Sequence, residues 1–222
     1  MHPGINGPKL KDKPAIIMAG SGDIITHQEL NELSNQGAQL FRSLGLKPGD
    51  SLAFMMENHK LFFPIAFAAY RSGLKYTAIS WRLQASEVEY IVKDCGAKVF
   101  ITSKFLEESA KSLVNSLEGV HKFMLDGTTD NFKSYEKEIN NMPITSIEDE
   151  CQGAAMLYSS GTTGKPKGVS REVNLSPLPY KAEEDDLGLT RVVQGLYSAD
   201  EDSVYLSPAP LYHSAPMGFN TG

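Results

Sequence analysis

The chain has 222 residues, a formal net charge of −6, 41% apolar residues and 22% charged residues. This balance is typical of a globular protein with a sizeable core, and the negative charge argues against nonspecific nucleic-acid binding. No stretch is apolar enough to cross a bilayer or to act as a signal peptide, and the two cysteines fit a reducing compartment, so we expect a cytoplasmic protein.

The order of the predicted elements indicates an α/β fold. Residues 1–12 are rich in glycine, proline and lysine and predict a mobile lead-in. Two capping boxes, Thr26 with Glu29 and Ser86 with Glu89, mark helix starts. Apolar runs and helical spacing predict strands at 15–18, 24–25, 51–56, 76–79, 99–101, 122–125 and 154–157, and helices at 26–45, 61–70, 86–95 and 105–117. This alternation implies βαβ units, and we expect layered, mostly parallel sheets with flanking helices.

The second half of the chain is less regular. The polar composition between 127 and 153 predicts an irregular connection with a short helix near 132–140. A helix is expected over 187–196, and the apolar run 204–206 predicts a strand that leads into Pro208. Because ligands of α/β proteins bind beyond the carboxyl ends of strands, the segments that follow the last two predicted strands are the candidates for chemistry.

The most distinctive stretch is 158–168, with the sequence YSSGTTGKPKG. Its hydroxyls can donate to phosphate oxygens or bind Mg²⁺, its glycines let backbone N–H groups approach closely, and its lysines supply positive charge. A Walker A loop does not fit, because Pro166 follows Gly164-Lys165 where serine or threonine is required. The alternative explanation is a flexible connector rich in glycine, serine and threonine.

This run resembles the phosphate-binding signature Ser-Ser-Gly-Thr-Thr-Gly-x-Pro-Lys-Gly of the adenylate-forming enzymes, the superfamily of acyl-CoA synthetases, aryl-CoA ligases, luciferases and nonribosomal peptide adenylation domains. Two other segments resemble the family: 208–216, of its Pro-Leu-aromatic-His type, and 80–83, similar to its Asn-x-Arg-Leu segment. Ser80 stands where asparagine is more usual. The resemblance implies that residues 13–222 are the N-terminal part of an AMP-binding (adenylation) domain.

The resemblance also implies which residues carry the chemistry. The ATP phosphates would be bound by Ser159, Ser160, Gly161, Thr162, Thr163, Gly164 and Lys167. Thr162 or Thr163 would also help to bind Mg²⁺. His213, with Ser214 and Ala215, would line the substrate pocket and orient the carboxylate, because an acid that is already ionised needs no general base. From the residues alone, a structural role for His213 stays open.

The implied reaction has two halves. A carboxylate attacks the α-phosphate of ATP, which gives an acyl-adenylate and pyrophosphate, and the thiol of coenzyme A then displaces AMP. ATP, Mg²⁺, coenzyme A and a carboxylic acid are therefore the implied cofactors and partners. The family's Thr-Glu and Thr-Gly-Asp motifs and its C-terminal domain are absent from the sequence. We therefore expect an N-terminal fragment without catalytic residues, inactive alone, with exposed sheet edges that favour oligomers or aggregation.

Three alternatives stay open. An amino-acid-activating adenylation domain would share the same signature. A noncatalytic nucleotide- or phosphate-binding module would use the loop without any chemistry. A phosphotransferase would need a Mg²⁺-binding carboxylate near the loop, and Glu172 is close in sequence but has no supporting motif.

Overall fold

The computed structural model of the protein describes residues 2–159, 166–169, 173–177, 194–200 and 202–221, without the side chains at 174–177 and 221. The helices are α1 (Pro3–Lys9), α2 (His27–Ser43), α3 (Phe62–Arg71), α4 (Ala85–Asp94), a 3₁₀ turn (Lys104–Leu106), α5 (Glu107–Leu113), α6 (Tyr135–Ile139), α7 (194–197) and α8 (Ser214–Thr221). The strands are β1 (Pro14–Ile17), β2 (Ile24–Thr26), β3 (Ser51–Met55), β4 (Lys75–Ile79), β5 (Ala97–Ser103), β6 (His121–Leu125), β7 (Lys133–Ser134), β8 (Cys151–Gln152), β9 (Ala154–Ala155), β10 (Leu157–Ser159), β11 (Lys167–Val169) and β12 (Asn174–Pro177). Among the described helices, none combines the length and the apolar character that crossing a membrane requires.

A six-stranded sheet forms the centre of the molecule, in the strand order β7-β6-β5-β3-β4-β9. Every neighbouring pair in this sheet is parallel. Among the described residues, three antiparallel pairs lie outside it, namely β1 with β2, β10 with β11 and β8 with β12. The predicted α/β class with a mostly parallel sheet and flanking helices is therefore confirmed.

Strand β3 shows how the sheet is covered on both faces. Leu52 and Phe54 pack into the cluster that contains apolar residues of α2 and α3. Ala53 and Met55 pack into a second cluster, with apolar residues of α4 and α5. Because successive strand residues point to opposite faces, a strand buried on both sides reads as a continuous apolar run, which is what made β3 predictable.

One of the two predicted capping boxes is confirmed and the other is wrong. The hydroxyl of Thr26 accepts the backbone N–H of Glu29 at 3.2 Å, and the Glu29 carboxylate accepts the N–H of Thr26 at 2.8 Å. The box predicted at Ser86 lies two residues too late, because the N–H of Gln84 donates to the carboxylate of Glu87 at 2.8 Å. Glutamine is not a favoured N-cap residue, so the serine gave a misleading signal.

The N-terminal segment differs from the mobile lead-in expected over residues 1–12. Its residues form α1, in which Pro3 and Gly7 are buried. A Cβ atom at Gly7 would come within 2.8 Å of the Cβ atom of Asn31 on α2. The small residues that suggested mobility instead allow two helices to approach closely, a role that composition alone does not reveal.

His2 caps α1 and should make stability depend on pH. Its Nδ1 atom accepts the N–H of Gly4 at 3.0 Å, and burial, followed by the charge of Arg71, lowers the pKa of His2 from 6.5 to about 3. The unfolded chain binds this proton below pH 6.5 and the folded chain does not, so stability falls on acidification by about 1.4 kcal/mol per pH unit. Between pH 7 and pH 5, the free energy of unfolding of the wild type should fall by about 2 kcal/mol. His2→Asn can still cap the helix and should not show this loss. Equal slopes for the two proteins would contradict this expectation.

The strand predicted over 204–206 is wrong. These residues form no strand, and Val204, Tyr205 and Leu206 are 86%, 60% and 74% exposed. Within the described ranges no strand pairs with them, and an apolar run becomes a strand only when a neighbour accepts its backbone hydrogen bonds. Most of the helix predicted over 187–196 lies outside the described residues.

Candidate functional site

The predicted phosphate loop begins where the chain leaves the edge of the central sheet. Strand β9 pairs with β4, and β10 then forms an antiparallel hairpin with β11. Ser159 and Lys167 are direct partners across this hairpin, and both side chains are exposed. The other predicted phosphate ligands lie outside the described residues: Ser160, Gly161, Thr162, Thr163 and Gly164. The structure therefore shows that the two ends of the signature loop are held side by side.

Tyr158, in the middle of β10, connects the hairpin to helix α4. Its hydroxyl donates to Oδ2 of Asp94 at 2.6 Å. Burial, and then the hydrogen bond to Asp94, hold the pKa of Tyr158 well above its usual range, so the hydroxyl stays protonated and remains a donor. Tyr158 is also the partner of Gly168 in the hairpin.

The segment 208–216 is fastened beside the carboxyl end of β3 by Asn58. The amide nitrogen of Asn58 donates to the carbonyl of Ala209 at 3.0 Å, and its amide oxygen accepts the N–H of Leu211 at 2.9 Å. Leu211 is buried in the core cluster of α2 and α3. Sequence reasoning missed Asn58, although a polar residue just after a buried strand is a recognisable signal.

The predicted pocket residues His213, Ser214 and Ala215 lie at the start of α8, and all three are exposed. The imidazole of His213 lies against the ring of Tyr212, with 4.5 Å between the ring centroids and an interplanar angle of 51°. A structural hydrogen bond was the alternative explanation for this histidine, and none is seen to its ring within the described part of the chain. The placement of His213, Ser214 and Ala215 in a substrate pocket therefore stays a prediction.

Three potential metal ligands also meet at the carboxyl ends of the central strands. Among the described residues, ligand atoms of Glu57, His59 and Asp126 lie within 4.8 Å of one another. Nδ1 of His59 accepts the N–H of Leu61 at 3.0 Å, so the neutral ring carries its proton on Nε2, which donates to Asp126 at 3.0 Å. Glu57 accepts the hydroxyl of Ser103 at 2.5 Å. These hydrogen bonds connect the segments that follow β3 and β6, which gives the three side chains a structural role.

The parallel sheet lies between two layers of helices, and the hairpin of β10 and β11 leaves its edge. The profile of the AMP-binding enzyme family matches residues 6–221. The chain therefore belongs to this family.

Two relatives show how broad the family is. The fatty acid–[acyl-carrier-protein] ligase ScoC of Streptomyces coeruleorubidus is 29% identical over 157 residues, which cover 70% of this chain and 29% of the relative. The feruloyl-CoA synthase of Amycolatopsis sp is 28% identical over 198 residues, which cover 89% of this chain and 36% of the relative. The chain thus spans about a third of the length of these curated relatives.

Solved structures support the same fold. The O-succinylbenzoate coenzyme A synthetase of Bacillus subtilis, solved in complex with AMP, superimposes with a TM-score of 0.71 at 18% identity. The match covers 99% of this chain and 51% of that one. At this identity the likeness shows the fold alone.

Proposed function

We propose that this chain supplies the ATP-phosphate-binding part of an enzyme that activates a carboxylic acid as an acyl-adenylate. The observation that carries the proposal is the hairpin in which Ser159 and Lys167 stand opposite each other at the two ends of the signature loop. A hydroxyl and an ammonium group fixed in this way can face the same polyphosphate. Attack on the α-phosphate adds negative charge, and donors that are already in place stabilise that charge without reorganisation.

Mg²⁺ would arrive with ATP and neutralise part of the phosphate charge. Thr162 is the proposed protein ligand, and its hydroxyl oxygen suits this hard cation. Glu57, His59 and Asp126 are not proposed for this role, because their hydrogen bonds already give them a structural one.

The acid would bind near His213, whose exposed imidazole can orient a carboxylate with the help of Ser214. Asn58 holds this segment in place through its two hydrogen bonds to Ala209 and Leu211. The second half of the reaction would transfer the acyl group to a thiol. We propose coenzyme A as the acceptor, since a relative covering 89% of this chain is named as a CoA synthase. An acyl-carrier protein, as in the name of the other relative, is the alternative.

The test is MgATP binding measured by isothermal titration calorimetry. We expect Lys167→Ala to weaken binding about tenfold, because an ammonium group that contacts phosphate makes a charge-assisted bond worth more than a neutral one. Pyrophosphate should compete with MgATP, since the loop is proposed to hold the phosphate chain. The matched control is Lys11→Ala, which removes another exposed lysine, in the segment between α1 and β1.

Two results would count against the proposal. Absence of MgATP binding by the wild type at millimolar concentration would contradict the site itself. Equal MgATP affinity of Lys167→Ala and the wild type would show that Lys167 does not belong to the binding site. Because the chain alone is expected to be inactive, hydroxamate trapping with acids of varied size, ATP and Mg²⁺ should give no product with it, and a trapped hydroxamate would contradict that expectation.

A further inference from the structure

We propose that Asp94 and Tyr158 form an anchor that positions the phosphate-binding hairpin, and through it Ser159 and Lys167. Neither residue is expected to touch the ligand, so both are positioning residues. The expected effect on nucleotide affinity rests on the proposed function. The role of the anchor in holding the hairpin in place does not.

Few backbone hydrogen bonds join the described part of the hairpin to the central sheet, although Met156, Leu157 and Tyr158 pack partly buried against its apolar clusters. Strand β9 pairs with β4 at two positions only, and the N–H of Met156 makes one more bond to the carbonyl of Tyr76 at 2.8 Å. Strand β10 then leaves the sheet, and within the described residues its strand partner is β11. A two-stranded hairpin is at best marginally stable by itself, so its orientation depends on contacts at its base.

The bond between Tyr158 and Asp94 supplies such a contact over a long range. It joins residues that are 64 positions apart, and its length of 2.6 Å is in the range of charge-assisted hydrogen bonds to a carboxylate. Asp94 ends α4, a helix that is fixed to the sheet by the buried side chains Val88, Ile91 and Val92. The anchor therefore ties the hairpin to a rigid part of the fold.

The position of Asp94 on its helix supports a role outside the helix. A carboxylate in the last turn meets the negative end of the helix dipole, which is unfavourable. Helix stability alone would favour a cation or a neutral residue at this position. The bond to Tyr158 gives the carboxylate a structural reason to be there.

Gly168 extends the effect of the anchor to the second strand. Tyr158 and Gly168 are direct partners, and a Cβ atom at Gly168 would lie 2.9 Å from Cζ of Tyr158 and 2.5 Å from Cε of Met156. The tyrosine ring therefore lies close over the backbone of β11, next to Lys167. Holding the ring fixes both ends of the loop at once.

Tyr158→Phe is the sharpest test, because it keeps the ring over Gly168 and removes only the hydroxyl. Tyr90→Phe is the matched control, since the hydroxyl of Tyr90 contacts the other carboxylate oxygen of Asp94 at 3.5 Å from within α4. Hydrogen–deuterium exchange of residues 156–169 should become faster in Tyr158→Phe and in Asp94→Ala. It should stay unchanged in Tyr90→Phe.

MgATP affinity provides the functional measurement. We expect Tyr158→Phe to weaken it roughly fivefold, the loss of about one net hydrogen bond, while the unfolding midpoint of the whole chain stays near that of the wild type. In the Asp94→Ala background, adding Tyr158→Phe should have no further effect, because both changes break the same bond.

The exchange measurement decides the proposal even if the wild type fails to bind MgATP, a failure that would count against the proposed function alone. Unchanged exchange in Tyr158→Phe would overturn the anchor. So would an equal response of Tyr90→Phe, or additive effects of the two changes in the double variant.

Discussion

Arg71→Ala is expected to lower the free energy of unfolding by about 3–5 kcal/mol, the usual cost of removing one partner from a buried ion pair. Arg71 is 1% exposed, and its Nε atom donates to the carboxylate of Glu150 at 2.5 Å. Its Nη1 atom donates to the hydroxyl of Ser34 at 2.7 Å and to the carbonyl of Asn31 at 3.1 Å. One guanidinium group thus connects the end of α3, the middle of α2 and the segment that precedes β8.

The stability lost in Arg71→Ala should depend on pH. Burial raises the pKa of Glu150, and the charge of Arg71 acts in the opposite direction. Without Arg71 the folded carboxyl binds its proton more tightly than the unfolded one, so stability is retained at low pH and lost as the pH rises above about 4.5. The difference between the variant and the wild type should therefore be larger at pH 7 than at pH 4.

Urea denaturation at the two pH values measures both effects. The matched control is Lys93→Ala, because Lys93 and Glu89 form an ion pair of the same length, 2.5 Å, with the lysine 59% exposed. A surface pair of this kind contributes at most about 1 kcal/mol. Similar losses for Arg71→Ala and Lys93→Ala would show that burial of the Arg71 pair adds nothing. Glu150→Gln, which removes the charge and keeps the shape, should also destabilise the protein, since it leaves Arg71 without its anion.

The elements that were predictable from the sequence are those whose cause is local. The apolar run of β3 and the capping box at Thr26 each contain their own signal within a few residues. The predictions fail where the structure of a segment depends on contacts with a distant part of the chain. Helix α1 depends on close contact with α2, and the run at 204–206 is apolar but has no described strand beside it.

In the candidate site, too, local features were predictable and long-range contacts were not. The signature motif predicted a loop over 158–168. Its described ends pair as strands β10 and β11, whereas 160–165 lie outside the described residues, so the loop itself stays a prediction. The contacts that hold the site were not predictable, because they join residues far apart in the chain. The bond from Tyr158 to Asp94 spans 64 residues, and the bond from Leu211 to Asn58 spans 153. Periodicity and motif spacing contain no information about such pairs.

Gly153→Ala is expected to cost roughly 3 kcal/mol, at the upper end for a methyl group forced into a packed site. A Cβ atom at Gly153 would lie 2.4 Å from the carbonyl oxygen of Leu74 and 2.9 Å from that of Ala69. Neither backbone atom can move easily, because the N–H of Leu74 donates to Ala69 at 3.0 Å and the carbonyl of Leu74 accepts the N–H of Ala154 at the same distance. The added methyl group must therefore push β9 away from β4.

This displacement would reach the proposed site, because β9 leads directly into β10. Hydrogen–deuterium exchange should be faster at Ala154–Ala155 in Gly153→Ala, and MgATP affinity should fall together with stability. Gly20→Ala is the matched control, since Gly20 lies in a turn with no atom within 4 Å of its added Cβ. A Gly153→Ala variant as stable as the Gly20→Ala variant would contradict this expectation. It would show that β9 can shift at the edge of the sheet without a loss of stability. The position of the hairpin would then depend on the Asp94–Tyr158 anchor more than on β9.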